Sequence, residues 1–202
     1  MKQVMITGFD PFGPYKYNPS QDIVEYFKGK TIAGNKINAI LLPTIYYAFA
    51  LIEEEIAKTK PIAIISTGLS SSVKGIRIES TGRNIMNGKY VDKNGVLASG
   101  EPILKAESEF VGVNTDSCKF ANILAKNNIP VEISADADGY TCNALIYETS
   151  HYLAKNKLAT KQFFLHSPWT DKYKGKVDLE PQKIMIAEED LFRAVELIIE
   201  NL

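Results

Sequence analysis

The sequence predicts an α/β protein, a three-layer α/β/α sandwich built around a mixed, mostly parallel sheet. Apolar strand-like runs alternate with amphipathic helix-like runs through most of the 202 residues, which is the pattern of helices packed on both faces of a sheet. Residues 61–67 are largely apolar, as expected for a central strand that is covered on both faces. The length suits one domain, residues 1–202, because domains rarely exceed about 250 residues.

The predicted elements follow one another along the chain. Period-2 patterns and apolar runs predict strands over residues 3–7, 37–42, 61–67, 76–79, 131–134 and 161–165. Helical spacing predicts helices that begin near Ser20 and near Cys142, and others over residues 46–58, 115–126 and 188–201. The Ser20 hydroxyl is placed to cap the first of these helices. Residues 83–102 are polar and rich in glycine, so we expect loops there, with a turn at Asn94-Gly95.

Composition excludes several classes of protein. The formal net charge is −1, so no basic surface argues for nucleic acid or for an anionic membrane as partner. No apolar run is long enough to span a bilayer. The first apolar run is too short for a signal peptide and ends at Gly8. We therefore expect a cytoplasmic protein in which Cys118 and Cys142 are free thiols, with Cys118 as a helix packing residue.

Cys142 is the first candidate for function, because it lies where a helix begins after a strand and a turn. The start of a helix presents free backbone N–H groups and positive partial charge. Both favour thiolate over thiol, and the thiolate is the nucleophile. The same N–H groups can hold an oxyanion. Local context alone leaves open the alternative of a small, buried apolar residue.

Other chemically useful residues also follow predicted strand ends. These are a loop with two phenylalanines that we expect to be exposed, Phe9 and Phe12, a serine-rich loop over residues 70–72, and His166. In sheets of this class, ligands bind beyond the carboxyl ends of the strands. We therefore expect these loops to converge with Cys142 on one pocket.

His166 is the candidate base for a thiol nucleophile, and Glu79 is the candidate for orienting that base. His151 lies more than two helical turns beyond Cys142 in the same helix, at about 1.5 Å per residue, and is too far away. Glu79 ends a predicted strand, and a buried carboxylate needs a partner such as an imidazole N–H. The alternatives are a structural histidine at His166 and an ion pair of Glu79 with a basic neighbour such as Arg77.

Metal and nucleotide sites have weaker support. Cys142, His166 and Glu79 can be written as three zinc ligands, but no two of them have the close spacing of zinc motifs. The loop from Gly8 to Gly13 contains proline and two phenylalanines and does not match a dinucleotide fingerprint. We expect neither a metal nor another cofactor.

Motifs spread over nearly the whole chain resemble those of one family, the pyroglutamyl peptidases type I, also called pyrrolidone carboxyl peptidases. Residues 7–13 read Thr-Gly-Phe-Asp-Pro-Phe-Gly and, with Asn18-Pro19, resemble the family's highly specific opening motif. His166-Ser167-Pro168-Trp169 resembles the family's His-x-Pro-aromatic element. Further similar segments are Leu42-Pro43, Gly68-Leu69, Glu101-Pro102-Ile103 and residues 134–143.

The resemblance implies a function without a cofactor: removal of an N-terminal pyroglutamyl (5-oxoprolyl) residue from peptides. It implies that Cys142 is the nucleophile, that His166 acts as general base and then as general acid, and that Glu79 orients His166. The reaction would pass through a thioester. The implied substrate is a peptide with a blocked N-terminus, and family members are commonly homotetramers or dimers.

The resemblance also implies where the substrate binds. Phe9 and Phe12 are suited to enclosing a flat, uncharged lactam ring, although core packing is their alternative role. Ser70 lies in the serine-rich loop. Lys89 aligns with an arginine that lies near the active site in the family, and it keeps the charge but loses the planar guanidinium.

Several positions depart from the family pattern. Asp138 replaces a glycine shortly before the nucleophile and adds negative charge close to Cys142. The other departures are Ser72, Val73, Ser80, Gly82, Lys89 and the pair Val111-Gly112. The leading interpretation is a working pyroglutamyl peptidase. The alternatives are a divergent member that hydrolyses another small amide, and a non-enzymatic homologue that binds a ligand.

Overall fold

A seven-stranded sheet forms the middle layer of the molecule. The structure is a computed structural model and describes residues 1–177 and 185–202. The strands of this sheet are β1 (Gln3–Phe9), β2 (Thr31–Ile32), β3 (Asn35–Leu42), β4 (Ala63–Leu69), β5 (Ile76–Glu79), β10 (Val131–Ser134) and β11 (Lys161–Ser167). The remaining strands form two small ribbons, which pair β6 (Thr81–Arg83) with β9 (Phe110–Gly112) and β7 (Met86–Asn87) with β8 (Ser99–Glu101).

Helices cover both faces of the sheet. They are α1 (Pro19–Phe27), α2 (Glu53–Thr59), α3 (Ser117–Lys126), α4 (Thr141–Lys155) and α5 (Glu188–Glu200), with short 3-10 helices at Ala48–Leu51 and Asp171–Tyr173. In the part of the chain that the structure describes, no helix is long and apolar enough to cross a membrane.

The sheet is mixed and mostly parallel, as the sequence predicts. Its order is β10-β5-β11-β4-β1-β3-β2. Strands β1, β3, β4 and β11 run in one direction, whereas β5 and β10 are parallel to each other and β5 is antiparallel to β11. The short β2 is antiparallel to β3. The direction of β5 matters for the site, because its carboxyl end points toward the amino end of β11.

Side chains of β11 divide the core between the two faces, since successive side chains of a strand alternate. Phe163 and Leu165 join one core cluster with residues of α1, α3 and α5. Phe164 joins a second cluster with Leu145 and Ile146 of α4. His166 therefore points to the face that α4 covers, which is the face of the functional site.

Two helix starts differ from prediction. The first helix is capped by Asn18, whose Oδ1 accepts a hydrogen bond from the Ser20 backbone N–H at 3.1 Å, with Pro19 at the first helical position. The Ser20 hydroxyl instead bonds the backbone of Phe9 at the end of β1. The helix predicted over residues 46–58 is a 3-10 helix followed by α2, since Asp92 holds the Tyr46 backbone N–H in a loop conformation.

Three further predictions are corrected. Phe9 is not exposed: it ends β1 and is 2% exposed. Cys118 is exposed and does not pack, because α3 turns Ser117, Phe120 and Leu124 to the interior instead. Residues 83–102, expected to be loops, contain β7 and β8.

Candidate active site

His166 and Glu79 form a buried pair across two neighbouring strands. His166 Nδ1 lies 2.8 Å from Glu79 Oε1, and the two residues are 5% and 0% exposed. β5 runs against β11 with Ile78 opposite Leu165, and alternation along both strands directs Glu79 and His166 to the same face. The antiparallel direction of β5 thus brings the carboxylate behind the imidazole.

Cys142 is the second residue of α4, and its thiol lies beside His166 in the same pocket. Gly68 of β4 shows how close the two groups are. A Cβ built on this glycine would lie 2.8 Å from Cys142 Sγ and 3.4 Å from His166 Cδ2. Since Nδ1 faces Glu79, the edge of the imidazole that carries Cδ2 and Nε2 faces the thiol. Carboxylate, imidazole and thiol therefore form one continuous chain.

The route that brings Cys142 to the site differs from the expected one. We expected Cys142 to follow a strand whose carboxyl end lies at the same edge as those of β4 and β11. β10 runs in the opposite direction, so the connecting residues 135–140 carry the chain back to the carboxyl edge of β4. Convergence at this edge holds for His166, which lies within β11 one residue before its end rather than after it, and for residues 70–72, which directly follow β4.

The surroundings of His166 favour its protonated form. Burial is the largest influence and lowers the pKa of the imidazole, but Cys142 and Glu79 together outweigh it and raise the pKa to about 9. The cause is electrostatic attraction and hydrogen bonding to both groups. An imidazolium at neutral pH follows, held between Glu79 and the thiol. Glu79 Oε2 is buried and, among the described residues, has no hydrogen-bond partner.

Asn143 secures the helix start beside Cys142. Its side chain is fully buried. Its Oδ1 accepts from the Arg83 backbone N–H at 2.8 Å, and its Nδ2 donates to the carbonyl oxygens of Arg83 and Ile85 at 2.9 Å. The sequence analysis missed this residue, although an amide side chain on the buried face of a helix was a usable signal. It ties α4 to the segment that forms one wall of the pocket.

A cavity of about 400 Å³ opens at Cys142 and His166. One end is aromatic: the Phe12 ring centroid lies 5.5 Å from that of Tyr15, 6.0 Å from that of Tyr90 and 5.8 Å from that of Tyr140. The three tyrosines were not singled out from sequence, since isolated aromatic residues in loops carry no periodic signal. Polar lining residues include Asn18, Thr44, Asn87 and Asp138.

All four residues expected at the substrate site line this cavity. Phe9 does so from the end of β1, where it is also part of the core, and Phe12 is half-buried. The Ser70 hydroxyl lies 3.0 Å from that of Ser72. Lys89 is exposed, with Nζ 5.6 Å from the centroid of the Tyr90 ring.

The departures from the family pattern fall into two groups. Ser72, Lys89 and Asp138 line the cavity. Val73, Ser80 and Gly82 do not. Val73 is 3% exposed, the Ser80 hydroxyl donates to the Ser134 carbonyl at 2.8 Å, and a Cβ on Gly82 would lie 2.8 Å from the backbone of Tyr147. These three positions serve packing or hydrogen bonding, and Val111 and Gly112 also lie outside the lining, so only the first group is placed to contact what the cavity binds.

His151 lies outside the site, as expected. Its Nε2 is 3.7 Å from Glu107, and its ring stacks on that of Tyr147. Among the described residues, no group of three or more histidine, cysteine and acidic side chains is arranged to hold a metal ion.

A helix-start thiol beside an imidazole that is hydrogen-bonded to a buried carboxylate, all at one pocket, is the arrangement of cysteine peptidases. Comparison with known proteins gives the same class. A sequence profile of the family described as pyroglutamyl peptidase matches residues 2–201, and the chain belongs to this family of cysteine peptidases.

Relatives match over almost the full length. The pyrrolidone-carboxylate peptidase of Oceanobacillus iheyensis is 31% identical, with 98% of each chain covered. That of Coprothermobacter proteolyticus is 29% identical, with 99% of this chain and 96% of the relative covered. Among solved structures, the pyrrolidone carboxyl peptidase of Thermococcus litoralis has a TM-score of 0.92 at 28% identity, covering 99% of this chain and 92% of its own. A mutant pyrrolidone carboxyl peptidase of Pyrococcus furiosus has a TM-score of 0.91 at 26% identity, covering 98% and 96%.

Proposed function

We propose that this chain removes an N-terminal pyroglutamyl residue from peptides, with Cys142 as nucleophile, His166 as general base and acid, and Glu79 as the group that orients His166. The observation that carries the proposal is the buried Glu79–His166 hydrogen bond of 2.8 Å, with His166 and Cys142 lining the same pocket. Burial of a carboxylate and an imidazole is costly unless the two are paired, and a paired carboxylate and imidazole next to a helix-start cysteine at a pocket support this assignment.

The first half of the reaction forms a thioester. The Cys142 thiolate attacks the carbonyl carbon of the pyroglutamyl residue, and a C–S bond forms as the carbonyl oxygen becomes an oxyanion. The first-turn N–H groups of α4 are the donors for that oxyanion, because the N-cap residue Tyr140 supplies no side-chain cap. The C–N bond then breaks, and the His166 imidazolium gives its proton to the leaving amine.

The second half regenerates the enzyme. Neutral His166 takes a proton from water, whose oxygen bonds the thioester carbon. The C–S bond breaks, which restores the Cys142 thiolate and the imidazolium and releases pyroglutamate. Glu79 keeps its hydrogen bond to Nδ1 throughout, so that Nε2 remains the nitrogen that exchanges the proton.

The cavity suits a lactam better than a charged N-terminus. A lactam ring is flat and uncharged and can contact the rings of Phe9, Phe12, Tyr90 and Tyr140 in the aromatic end. Its amide groups need a few polar partners, which the lining residues at that end supply. An ammonium group would lose its hydration there and would also face the imidazolium of His166. The substrate is therefore a peptide with a blocked N-terminus.

The test is hydrolysis of a chromogenic pyroglutamyl amide by the wild type, Cys142→Ser and Cys118→Ser. Cys118→Ser is the matched control, since that thiol is exposed on α3. We expect turnover by the wild type and by Cys118→Ser, and none by Cys142→Ser. No turnover by a folded wild type whose Cys142 is readily alkylated favours another small amide as substrate. No turnover together with an inert thiol favours a non-enzymatic ligand-binding homologue.

The remaining parts of the proposal concern assembly and location. The whole chain acts as one peptidase domain, in a homo-oligomer that is a tetramer or a dimer, in the cytoplasm. Both cysteines are free thiols, which is consistent with a reducing compartment. Light scattering of the purified protein tests the oligomer, and a monomer at micromolar concentration contradicts it.

A further inference from the structure

A second cavity, of about 470 Å³, opens beside the active-site cavity. The two share four lining residues, which are Asn87, Gly88, Lys89 and Asp138. The shared residues place the second cavity directly beside the active-site cavity, on the far side of these residues from Cys142. We name the second cavity the side groove.

Two chain segments, residues 83–89 and 136–139, form the walls of the side groove. Direct contacts between the two segments hold the walls in place. The Asn87 backbone N–H donates to the Gly139 carbonyl at 2.7 Å. The Arg83 guanidinium lies 3.3 Å from the Asp136 carboxylate and joins the same two walls. Gly88 permits this approach, because a Cβ there would come within 2.4 Å of the Tyr140 ring. The groove is thus preformed.

Asp138 is the carboxylate of the groove that has no ion-pair partner among the described residues, and the ammonium of Lys89, which also lines the groove, lies more than 4.0 Å from it. Arg83 and Asp136 neutralise each other, whereas no described residue places a cation within 4.0 Å of the Asp138 carboxylate or donates a hydrogen bond to it. Its own backbone N–H bonds Asp136 Oδ1 at 3.1 Å, and its φ of 61° fixes a left-handed turn, so this short side chain has a defined position. The ammonium of Lys89 lies toward the Tyr90 ring.

We propose that the side groove binds the first residue of the leaving peptide and that Asp138 gives the enzyme a preference for a basic side chain at that residue. The inference rests on the proposed function. With the lactam ring at the aromatic end and the main-chain carbonyl of the pyroglutamyl residue at Cys142, the peptide beyond the scissile bond has to leave the active-site cavity, and the side groove adjoins that cavity. Since Asp138 is exposed, we expect a preference of about three- to fivefold, which is screened by salt.

The test compares three peptides that differ at one residue: pyroglutamyl-lysyl-alanine amide and its norleucine and glutamate counterparts. Norleucine has the aliphatic chain of lysine without the charge, so the ratio of the two kcat/KM values isolates the charge. For the wild type at low ionic strength, we expect kcat/KM for the lysine peptide to exceed that for the norleucine peptide by about three- to fivefold. We expect kcat/KM for the glutamate peptide to lie below that for the norleucine peptide. In 1 M sodium chloride, and in the Asp138→Asn variant, the lysine-to-norleucine and glutamate-to-norleucine ratios of kcat/KM should both approach one.

Glu189→Gln is the matched control, because it removes an exposed carboxylate on α5, a helix on the opposite face of the sheet. It should keep the wild-type ratios. Cleavage of all three peptides at equal kcat/KM, a preference for glutamate, or an unchanged lysine preference in Asp138→Asn overturns the inference and leaves the proposed function intact. Failure of a folded wild type to cleave any of them refutes the proposed function and the inference with it.

Discussion

Gly68 and Cys142 are in such close contact that a methyl group on Gly68 would lie 2.8 Å from the cysteine Sγ. The neighbouring Phe164 and His166 atoms, at 3.2 and 3.4 Å, leave the methyl group no free space. Position 68, which follows the apolar residues of β4, therefore has no room for a side chain larger than a hydrogen atom. This contact sets the separation between β4 and the start of α4.

Gly68→Ala should reduce activity more than stability. The added methyl group displaces the thiol from the imidazole, and a misplacement of about 1 Å can cost on the order of 100-fold in rate. We expect kcat/KM for the chromogenic amide to fall by about 10- to 100-fold, with the circular dichroism spectrum preserved. Gly112→Ala is the control, since its nearest outside atom is 4.0 Å away. A Gly68→Ala enzyme within twofold of wild type would falsify this account of the contact.

Glu79→Gln should change the pH profile as well as the rate. Activity needs the imidazolium of His166 and is lost as pH rises through its pKa of about 9. Because Glu79 is one of the groups that raise this pKa, the alkaline limb of kcat/KM should move to lower pH, with at least about a tenfold lower maximum. Glu107→Gln, which removes the carboxylate beside His151, should leave the limb in place. If the alkaline limb of kcat/KM stays at the wild-type pH in Glu79→Gln, the assignment of Glu79 as the partner of His166 is wrong.

Asn143→Ala should destabilise the fold. The substitution leaves three backbone groups of Arg83 and Ile85 without their buried partner, and we expect a loss of about 2–4 kcal/mol in the free energy of unfolding. Urea denaturation measures it. Asn122→Ala, at an exposed position of α3, should change the free energy by less than about 0.5 kcal/mol. A loss below 1 kcal/mol for Asn143→Ala, on the order of an ordinary surface effect, would contradict this role.

Glu148→Gln should stabilise the protein, and increasingly so as pH rises. Burial, with the charge of Glu53 adding to it, raises the pKa of Glu148 from 4.5 to about 8. Between these values the folded protein keeps a proton that the unfolded chain releases, so the free energy of unfolding of the wild type falls as pH rises through this window. Glutamine removes that dependence.

The difference between Glu148→Gln and wild type should grow from pH 4.5 to 8, by up to about 4 kcal/mol, and stay constant above. Thermal or urea unfolding at several pH values measures it. Glu189→Gln, at an exposed acid on α5, should show no such growth. A difference that is flat with pH, or that shrinks, shows that Glu148 is ionised at little cost in the folded state.

Local sequence pattern predicted the layers of this protein because burial is periodic, whereas the family was predicted from the resemblance of its motifs. The apolar run before Gly68 and the helical spacing in residues 188–201 indicate which faces are covered. His166 was found because it follows an apolar strand. The sequence pattern does not indicate in which direction a strand runs, however. The antiparallel orientation of β5 and β10 relative to β11 was therefore not predicted. The reach of Glu79 to His166 depends on that reversal.

Residues whose role depends on partners distant in sequence were missed or misplaced. Asn143 gains its role from Arg83, which lies 60 positions away. Phe9 and Cys118 were misassigned because one residue at the end of a strand or helix can face either way. Tyr90 and Tyr140 meet Phe12 only after three loops are folded. Local composition carries no information on such contacts.

The position of β11 has a consequence for how the protein is made. This strand is nearly the last of the chain to be synthesised, yet it lies between β5 and β4 in the sheet. Until it inserts, the β5–β10 pair has no strand through which to join the rest of the sheet. The imidazole, the carboxylate and the thiol come together only at that step. A nascent or unfolded chain therefore lacks the assembled candidate site, which exists only in the completed fold.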